Sequence, residues 1–427
     1  MTRLPVRNHL YTISKADMNL LYVVDQFPSS SEYFILNEIL ELQKKKCKIF
    51  ILAQKKGNGL PHLVEAIGGN GNIYYKPSFF SFDAIMGHFY MMLFLKSRYV
   101  KILKELAPSY KTSYRTFLRE LKVFSNVMSF SFKVRNMESK LIHAHFLSLP
   151  SSIAMGMSKV LNIPFSCSAH ANDIYVANKD DLIKKANSTA FIVTCTLCNK
   201  DFLHQLLADC SKIKVSHVYH GIDLSKWVSK KRDFQTLTDK KIRILSIGRL
   251  VEKKGIVFLL QAIKILVLKG LNVKCSIIGD GPLRKQLEDF TKRNALEDNI
   301  VLHGSLPQKD IISFYGESDI FILPCVIADN GDRDGLPNVL VEALATGIPA
   351  ISTSVSAITE LITHEQTGIL VKEKDPDQIA EAVLRLSGDP ELCSYLSRNG
   401  REKVEREFQI KNSTDRLMEL FNSINAA

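Results

Sequence analysis

Short apolar segments alternate with helix-forming segments along nearly the whole chain, and this alternation restricts its fold more than any other feature. Apolar strands are predicted in a first series at 18–24, 47–53, 141–146, 164–170, 191–196 and 214–218, and in a second series at 242–247, 273–278, 300–303, 320–323, 350–352 and 368–371. Regular strand–helix alternation is typical of α/β proteins with a parallel sheet between two layers of helices. The pattern therefore predicts two doubly wound sheets. Ligands of such sheets bind beyond the carboxyl ends of the strands, where this chain has polar turns, and this indicates one cleft between two domains.

A polar, charged segment at 230–241 separates the two series and has few large apolar side chains, so we predict a linker there. The length of 427 residues fits two or three domains. We expect a flexible N-terminus at 1–17, a first domain at 18–229, a second at 242–409 and a final helix at 410–427. The contents of 46% hydrophobic and 23% charged residues are ordinary for a soluble globular protein.

A polar loop followed by a helix is the strongest candidate site. Residues 329–335 are polar and include two glycines, which predicts a loop. Pro337 suits the first turn of a helix, which is predicted from Asn338 until Gly347 ends it. Gly335 is expected to allow a tight turn and to leave backbone N–H groups free. Together with the helix dipole, these groups and those of Leu336 would form an anion site.

Two carboxylates flank this helix start. Asp334 lies in the loop, and Glu342 lies a little over one turn into the helix. Such an arrangement suits a ligand with phosphate in its middle and hydroxyls at both ends, as in a nucleotide sugar. The alternative is a capped surface helix in a polar loop, which is a common structure.

Arg249 follows the first strand of the second series, and Lys254 lies five positions later. Both are expected to point into the cleft beside the helix start. Two fixed cations and a helix N-terminus can neutralise a diphosphate without a metal. The alternative is a pair of surface cations at the beginning of a helix.

Three histidines lie at strand ends in the first domain. His170 ends one strand and is expected to face the cleft, with Asp173 near enough to influence its charge. A structural role is the competing interpretation, because a lone histidine is more often structural. His143 and His145 are interpreted as packing residues of another strand end.

The net charge of +12 is unevenly distributed. Residues 96–140 contain eleven Lys or Arg against three Glu, with apolar and aromatic residues between them. We favour contact with an anionic membrane surface. The alternatives are solvated basic helices and, as the weakest of the three, nucleic acid. The apolar segment at 79–95 is short for a membrane span and is interrupted by Asp83 and His88, so we predict a buried or interfacial helix.

The cysteines predict reduced thiols in a cytoplasmic protein, because they are scattered and the first 17 residues lack the apolar core of a secretory signal. Cys195, Cys198, His204 and Cys210 have a spacing that could hold zinc. The competing interpretation, which we favour, is a buried strand and an amphipathic helix in which cysteine is an ordinary residue.

Several motifs in order resemble the retaining glycosyltransferases of family 4. In the second half, the motifs that carry the resemblance are Gly248–Gly255, Ile277–Leu283, Val301–Gly304 and Asp334–Ala343. The looser motifs of the first half are Phe27–Glu32, His143–Phe146, Ser168–His170 and Gly221–Asp223. The strongest similarity covers about 242–406 and is closest to bacterial enzymes of exopolysaccharide, colanic-acid-like or O-antigen assembly.

The resemblance implies the GT-B fold, in which two Rossmann-like domains face a cleft and the C-terminal helix crosses back to the first domain. It implies that Arg249 and Lys254 hold the donor diphosphate and that Glu342 binds the ribose. Asp334 would contact hydroxyls of the transferred sugar, and His170 would line the reaction centre. Backbone amides from Gly335 through Leu336 and Pro337 to Asn338 would complete the donor site.

The chain departs from the family pattern at three places. Asp334 stands where the family usually has Glu, which shortens the carboxylate by one methylene. The stretch Ser29–Glu32 replaces a Gly-rich loop, and Ser356–Glu360 stands where Gly-Ile-Pro-Glu is usual. The first change is expected to alter sugar preference or to slow the enzyme.

The sequence thus predicts a retaining hexosyltransferase that needs no cofactor and no metal. Its partners would be a nucleoside-diphosphate sugar, bound by the second domain, and a polyprenyl-diphosphate-linked or oligosaccharide acceptor, bound by the first. We expect it in the cytoplasm, peripheral on the inner face of the plasma membrane, with no nucleic-acid partner. The alternatives are a sugar-nucleotide epimerase of the same fold, which would have no use for the basic region, and a non-catalytic nucleotide-sugar-binding protein.

Overall fold

A computed structural model describes residues 18–424, apart from 30–31, 58–63, 66, 79–80, 113, 176–177, 209–213, 229–233 and 235–240, and apart from the side chains of 70, 105–112 and 172. The predicted flexible N-terminus and nearly all of the predicted linker lie outside the described residues.

Seven parallel strands form the first sheet, in the order β3-β2-β1-β4-β5-β6-β7. Its strands are β1 Asn19–Phe27, β2 Lys48–Lys56, β3 Ile73–Tyr75, β4 Leu141–His145, β5 Phe165–Ala169, β6 Ile192–Thr194 and β7 Val215–His217. Every residue of β4 and β5 is buried, as expected of central strands with helices on both faces.

Six parallel strands form the second sheet, in the order β10-β9-β8-β11-β12-β13. Its strands are β8 Ile242–Ile247, β9 Val273–Ile278, β10 Ile300–Gly304, β11 Ile320–Leu323, β12 Ala350–Thr353 and β13 Ile369–Val371. In both sheets the strand order reverses beside the first strand of the series, which is where doubly wound folds place their ligands. The prediction of two doubly wound sheets is confirmed.

Helices cover both sheets. In the first half they are α1 Tyr33–Lys44, α2 Phe82–Phe94, α3 Lys96–Thr112, α4 Tyr114–Val134, α5 Leu149–Leu161, α6 Ala171–Tyr175, α7 Lys179–Ala186 and α8 Leu197–Leu206. In the second half they are α9 Ile256–Leu268, α10 Arg284–Arg293, α11 Gln308–Glu317, α12 Asn338–Ala345, α13 Ile358–Leu361, α14 Pro376–Gly388, α15 Pro390–Glu407 and α16 Ile410–Ile424. No described helix combines the length and the apolar character that crossing a bilayer requires.

The final helix packs on the first sheet, as predicted. Leu417, Leu420 and Phe421 of α16 are buried in the same core cluster as β1 and α1. Lys45 forms an ion pair of 2.6 Å with Asp415. The crossing point needs a residue without a side chain at Gly221, where an added Cβ would lie 2.3 Å from the Cα atom of Ile410.

Candidate active site

Lys254 lies at the carboxyl end of β8 and reaches the loop before α12. Its ammonium nitrogen is 2.5 Å from a carboxylate oxygen of Asp334, and both side chains are largely buried. Gly255 turns the chain here in the left-handed region, with a φ of 64°. An added Cβ at this glycine would lie 1.9 Å from the carbonyl oxygen of Pro324, so the close approach of the two segments requires glycine.

A second buried lysine, Lys253, precedes Lys254 in the same turn after β8 and also reaches this loop. The Nζ atom of Lys253 is 3.0 Å from Asp332 and 3.5 Å from Asp334. Burial alone raises the pKa of the Asp334 carboxyl, but Lys254 and then Lys253 outweigh it, so the pKa lies below its ordinary value. The loop therefore carries an ionised carboxylate between two ammonium groups.

The helix start differs in detail from its prediction. Pro337 immediately precedes the first turn of α12 rather than lying within it, and Asn338 is the first helical residue. The chain bends at Gly335 and Leu336, as expected, although Gly335 lies outside the left-handed region. It faces Ala171, Thr196 and Asn199 of the first domain at 3.6–3.7 Å from the position of an added Cβ. This helix start therefore lies against the opposite side of the cleft.

Leu336 and Glu342 face the interior of the second domain. Leu336 is partly buried and packs on the core of that domain. The hydroxyl of Tyr315 donates a hydrogen bond of 3.0 Å to the Glu342 carboxylate. Burial raises the pKa of Glu342 to about 7, and the bond from Tyr315 opposes this rise. Tyr315 thus orients the carboxylate that the resemblance assigns to the ribose.

Arg249 is exposed beyond the end of β8. Burial raises the pKa of Glu32 in the first domain above its ordinary value, and the charge of Arg249 opposes this rise. Arg249 also opposes the rise in the pKa of Lys254 that Asp334 causes. Among the residues that the structure describes, no ion pair engages Arg249. The guanidinium therefore lies at the opening between the domains with its donors available.

His170 is buried at the end of β5. Its Nδ1 atom shares a hydrogen bond of 3.3 Å with Nε2 of His220, and its Nε2 atom is buried with no partner among the described residues. Burial, followed by His220 and two further histidines, holds the pKa of His170 well below its ordinary value, so the imidazole is neutral at pH 7.

Asp173 does not act on the His170 imidazole as we had expected. Its carboxylate accepts hydrogen bonds from the backbone N–H groups of His170, at 2.7 Å, and of Leu147. Burial raises the pKa of Asp173 to about 7, and these backbone bonds oppose the rise. Asp173 therefore fixes the backbone at the end of β5 rather than the charge of the histidine.

His143 and His145 are fully buried among polar side chains. His143 lies 2.8 Å from the hydroxyl of Ser166, and His145 lies 3.1 Å from the carboxylate of Glu38. Burial disfavours the charged form of Glu38, but His145 lowers the pKa of this carboxyl to about 2. These contacts place the two histidines in a buried polar group with Glu38, and their interpretation as packing residues stays a prediction.

Among the described residues, the side chains of Cys195, Cys198 and His204 do not come together as a zinc site would require. Cys210 lies outside the described residues, and Cys198 contacts the hydroxyl of Tyr175 at 3.6 Å. Within the part of the chain that the structure describes, two groups of side chains are close enough to share a metal ion. They are His170 with Cys195 and His220, and Glu38 with His143 and His145.

A carboxylate of the second domain ties the two domains together. Glu360 of α13 accepts hydrogen bonds from the backbone N–H groups of Leu197 and Cys198, at 2.9 and 2.8 Å. It also accepts one of 2.8 Å from the hydroxyl of Tyr219. The two amides begin α8, so the negative charge also meets the positive end of a helix dipole. The sequence motif that ends at Glu360 does not predict this contact between the domains.

We expect Glu360→Ala to favour a more open arrangement of the domains, because three charge-assisted hydrogen bonds are lost. Each such bond is worth about 1.5–3 kcal/mol, so the loss of even one of them should shift the closure equilibrium by about tenfold or more. Small-angle scattering should show a larger radius of gyration than for the wild type. Glu419→Ala, which removes an exposed carboxylate from α16, is the control. An unchanged scattering curve for Glu360→Ala would contradict this role.

Comparisons with known proteins show similarity in sequence and in fold. Residues 228–403 match the family described as glycosyl transferases group 1. An amylovoran biosynthesis glycosyltransferase of Erwinia amylovora is 37% identical over 223 residues, which are 52% of this chain and 54% of that protein. A capsular polysaccharide biosynthesis glycosyltransferase of Staphylococcus aureus is 33% identical over 48% of this chain and 53% of its own length. The chain thus spans about half the length of the curated relatives it matches.

The similarity to solved structures extends over nearly the whole chain. The crystal structure of HepE from Anabaena in complex with UDP-glucose has a TM-score of 0.71 and 15% identity, and the match covers 95% of this chain and 100% of that one. At this identity the likeness is one of fold. Residues 228–403 therefore carry the similarity to glycosyl transferases group 1, and the two facing Rossmann-like domains have the GT-B fold.

Proposed function

We propose that this protein is a retaining glycosyltransferase that moves a hexose from a nucleoside-diphosphate sugar to an acceptor. The observation that carries the proposal is the convergence of three elements on one cleft. Lys254 and the start of α12 meet at Asp334, Arg249 lies at the opening, and the unpartnered Nε2 atom of His170 belongs to the opposite domain. A site of this kind is cationic on one side and offers a neutral hydrogen-bonding group on the other.

The cations would bind the donor diphosphate and stabilise it as it leaves. Lys254 has three N–H donors and Asp334 engages one, so two remain for phosphate oxygens. Arg249 and the backbone N–H groups of Gly335 to Asn338 would supply further donors. We propose that this charge suffices without a metal ion. Glu342, held by Tyr315, would accept a hydrogen bond from the ribose.

Asp334 and His170 would contact the transferred sugar. The carboxylate would accept hydrogen bonds from sugar hydroxyls while Lys253 and Lys254 keep it ionised. The neutral imidazole of His170 would place its Nε2 atom against the sugar at the reaction centre. We propose that the acceptor oxygen bonds to the anomeric carbon on the face from which the diphosphate oxygen departs, and that the acceptor proton goes to that diphosphate. This route needs no pair of facing carboxylates, unlike glycoside hydrolysis.

The first domain would bind the acceptor. Glu32 lies on that side of the cleft, and one of its carboxylate oxygens is buried without a partner among the described residues. We propose a polyprenyl-diphosphate-linked or oligosaccharide acceptor in bacterial surface polysaccharide synthesis, which the names of the two curated relatives support. The protein would then lie on the cytoplasmic face of the plasma membrane, with its basic residues 96–140 against anionic lipid.

Donor hydrolysis tests this proposal without knowledge of the acceptor. The purified protein is incubated with UDP-, GDP- and ADP-sugars in excess EDTA, and NMR identifies the first sugar released. We expect slow release from one donor, with the anomeric configuration retained. Early time points are needed because free anomers interconvert. Release that requires a divalent cation, or that gives the inverted anomer, would contradict the proposal.

The two alternatives give different results in the same experiment. An epimerase would release a nucleotide sugar of changed configuration with no acceptor present. A binding protein would bind one donor tightly and show neither hydrolysis nor transfer, even with membrane extracts as acceptor.

A further inference from the structure

Large exposed apolar side chains are concentrated on one helix. Those of α2 are between 46% and 75% exposed and are Phe82, Ile85, Phe89, Met92, Leu93 and Phe94. Leu103 of α3 and Tyr114 and Leu118 of α4 add to the same segment. Elsewhere in the described chain such residues occur singly. A concentration of this kind marks an interaction surface, whereas single exposed apolar residues are normal.

The geometry of α2 directs this face outward. Phe82, Ile85, Phe89, Met92 and Leu93 follow helical spacing and share one side of the helix. The opposite side consists of Ala84, Gly87 and Met91, which are buried.

A close contact with α4 fixes this orientation. A Cβ on Gly87 would lie 2.9 Å from the carbonyl oxygen of Met128, so only glycine allows the two helices to approach this closely. The exposed face of α2 therefore cannot turn into the core without loss of this packing. We call it the α2 apolar face.

Exposed basic side chains lie on the two helices that follow α2 in the sequence. They are Lys96, Lys101 and Lys104 of α3 and Arg115, Arg119 and Lys122 of α4. The acidic groups in this part of the described structure are engaged. Asp83 accepts a hydrogen bond of 2.9 Å from Tyr74, and Glu120 lies 3.6 Å from Arg119.

We propose that the α2 apolar face inserts into the headgroup region of an anionic bilayer, while the basic residues of α3 and α4 contact lipid phosphates. An apolar strip with cationic residues beside it is the arrangement of an interfacial helix. This inference deepens the proposed membrane contact, and thus rests on the proposed function, which invoked charge alone. It assigns the apolar part of the binding to residues outside 96–140.

The positive charge of α3 and α4 argues against a second copy of this chain as the partner that covers the α2 apolar face. A symmetric dimer through the α2 apolar face would bring the basic helices α3 and α4 of the two copies towards each other, and like charges repel. A bilayer that contains anionic lipid offers both an apolar interior and opposite charge. Lipid therefore satisfies both features of the surface.

Tryptophan placed on α2 tests the insertion directly. The chain has one tryptophan, Trp227, which is buried and gives a constant background. We expect the tryptophan fluorescence of Phe89→Trp to be quenched by brominated acyl chains in vesicles of phosphatidylglycerol and phosphatidylcholine. Leu268→Trp is the matched control, because Leu268 is 77% exposed on the second domain. Equal quenching of the two variants, or of neither, would overturn the proposal.

Removal of apolar surface gives a second test. Phe82→Ser combined with Phe89→Ser should lower the vesicle partition coefficient by about tenfold or more, whereas Leu268→Ser combined with Tyr395→Ser should not change it. Donor hydrolysis in solution should remain at the wild-type level in both, so failure of membrane insertion is distinguishable from failure of the proposed activity. A concentration-dependent dimer that the first pair of substitutions disperses would overturn the lipid assignment in favour of self-association.

Discussion

Arg249→Ala should lower kcat/KM for the donor by about 100- to 1,000-fold without unfolding the second domain. The large effect is expected because a fixed cation at a leaving diphosphate acts on charge that develops in the transition state. The fold should be retained because Arg249 is exposed and no ion pair in the described structure depends on it. The assay is initial donor turnover, and the structural check is the thermal transition.

Two further variants separate charge from geometry at this position. Arg249→Lys keeps the charge but loses the planar pair of donors, so we expect partial recovery of turnover. Arg398→Ala removes an exposed arginine of α15 and should leave turnover unchanged. Wild-type turnover by Arg249→Ala would remove this residue from the diphosphate site.

Strands in the middle of the second sheet were predictable because they are largely buried and therefore mostly apolar. Those at 242–247, 273–278 and 320–323 agree with the prediction residue for residue. Strand β3, Ile73–Tyr75, was not predicted. It is three residues long and lies at the sheet edge, where one buried residue suffices and the apolar signal is short.

Site contacts between distant parts of the chain were harder to predict. The loop at Asp334 and the turn at Lys254 were correctly expected in one place, because both follow strand ends of the same sheet. Lys253 was missed because the order of the strands places this turn near the loop but does not show that both of its lysines point to it. Glu360 was missed because its partners lie in the other domain, more than 140 positions away. Asp173 was misjudged for the opposite reason. Nearness in sequence to His170 indicated a contact with its side chain, whereas the contact is with its backbone.

The sequence pattern also did not predict which side of α2 faces the core. A run of apolar residues at helical spacing predicts a face, but not whether that face meets the core or the solvent. Gly87 determines the orientation of α2, because only the side of the helix that carries this glycine can pack closely against α4. In the described part of 79–95 the large apolar face is exposed, so the helix is not fully buried, and its interfacial position stays a prediction.

Asp334→Ala should have the largest effect on stability, lowering the free energy of unfolding by about 3–5 kcal/mol. The side chain of Lys254 is only 12% exposed and its ion pair with Asp334 measures 2.5 Å, so the substitution leaves a buried ammonium without its partner. Lys253 keeps Asp332 and should be less affected. The measurement is chemical denaturation at neutral pH.

A double-mutant cycle isolates the pair from the rest of the loop. Lys254→Met combined with Asp334→Ala removes both charges, so the loss should be smaller than the sum of the two single losses. Asp334→Glu keeps the charge and carries the side chain that is usual in the resembling family, so it should retain most of the stability. Additive losses in the cycle would mean that the two groups do not stabilise each other.

The contribution of the Asp334–Lys254 ion pair to stability should depend on pH in a defined direction. The pKa of Asp334 is depressed, so its contribution is complete above the ordinary carboxyl value of about 4 and is lost as the pH falls through the lower folded value. Burial lowers the pKa of Lys254, but Asp334 raises it more, so that contribution is complete below about 10.4 and is lost only at higher pH. The difference in stability between the wild type and Asp334→Ala should therefore be constant from about pH 5 to 9 and should narrow in acid. A difference that persists unchanged below the folded pKa would show that the alanine acts by loss of packing and not by loss of the ion pair.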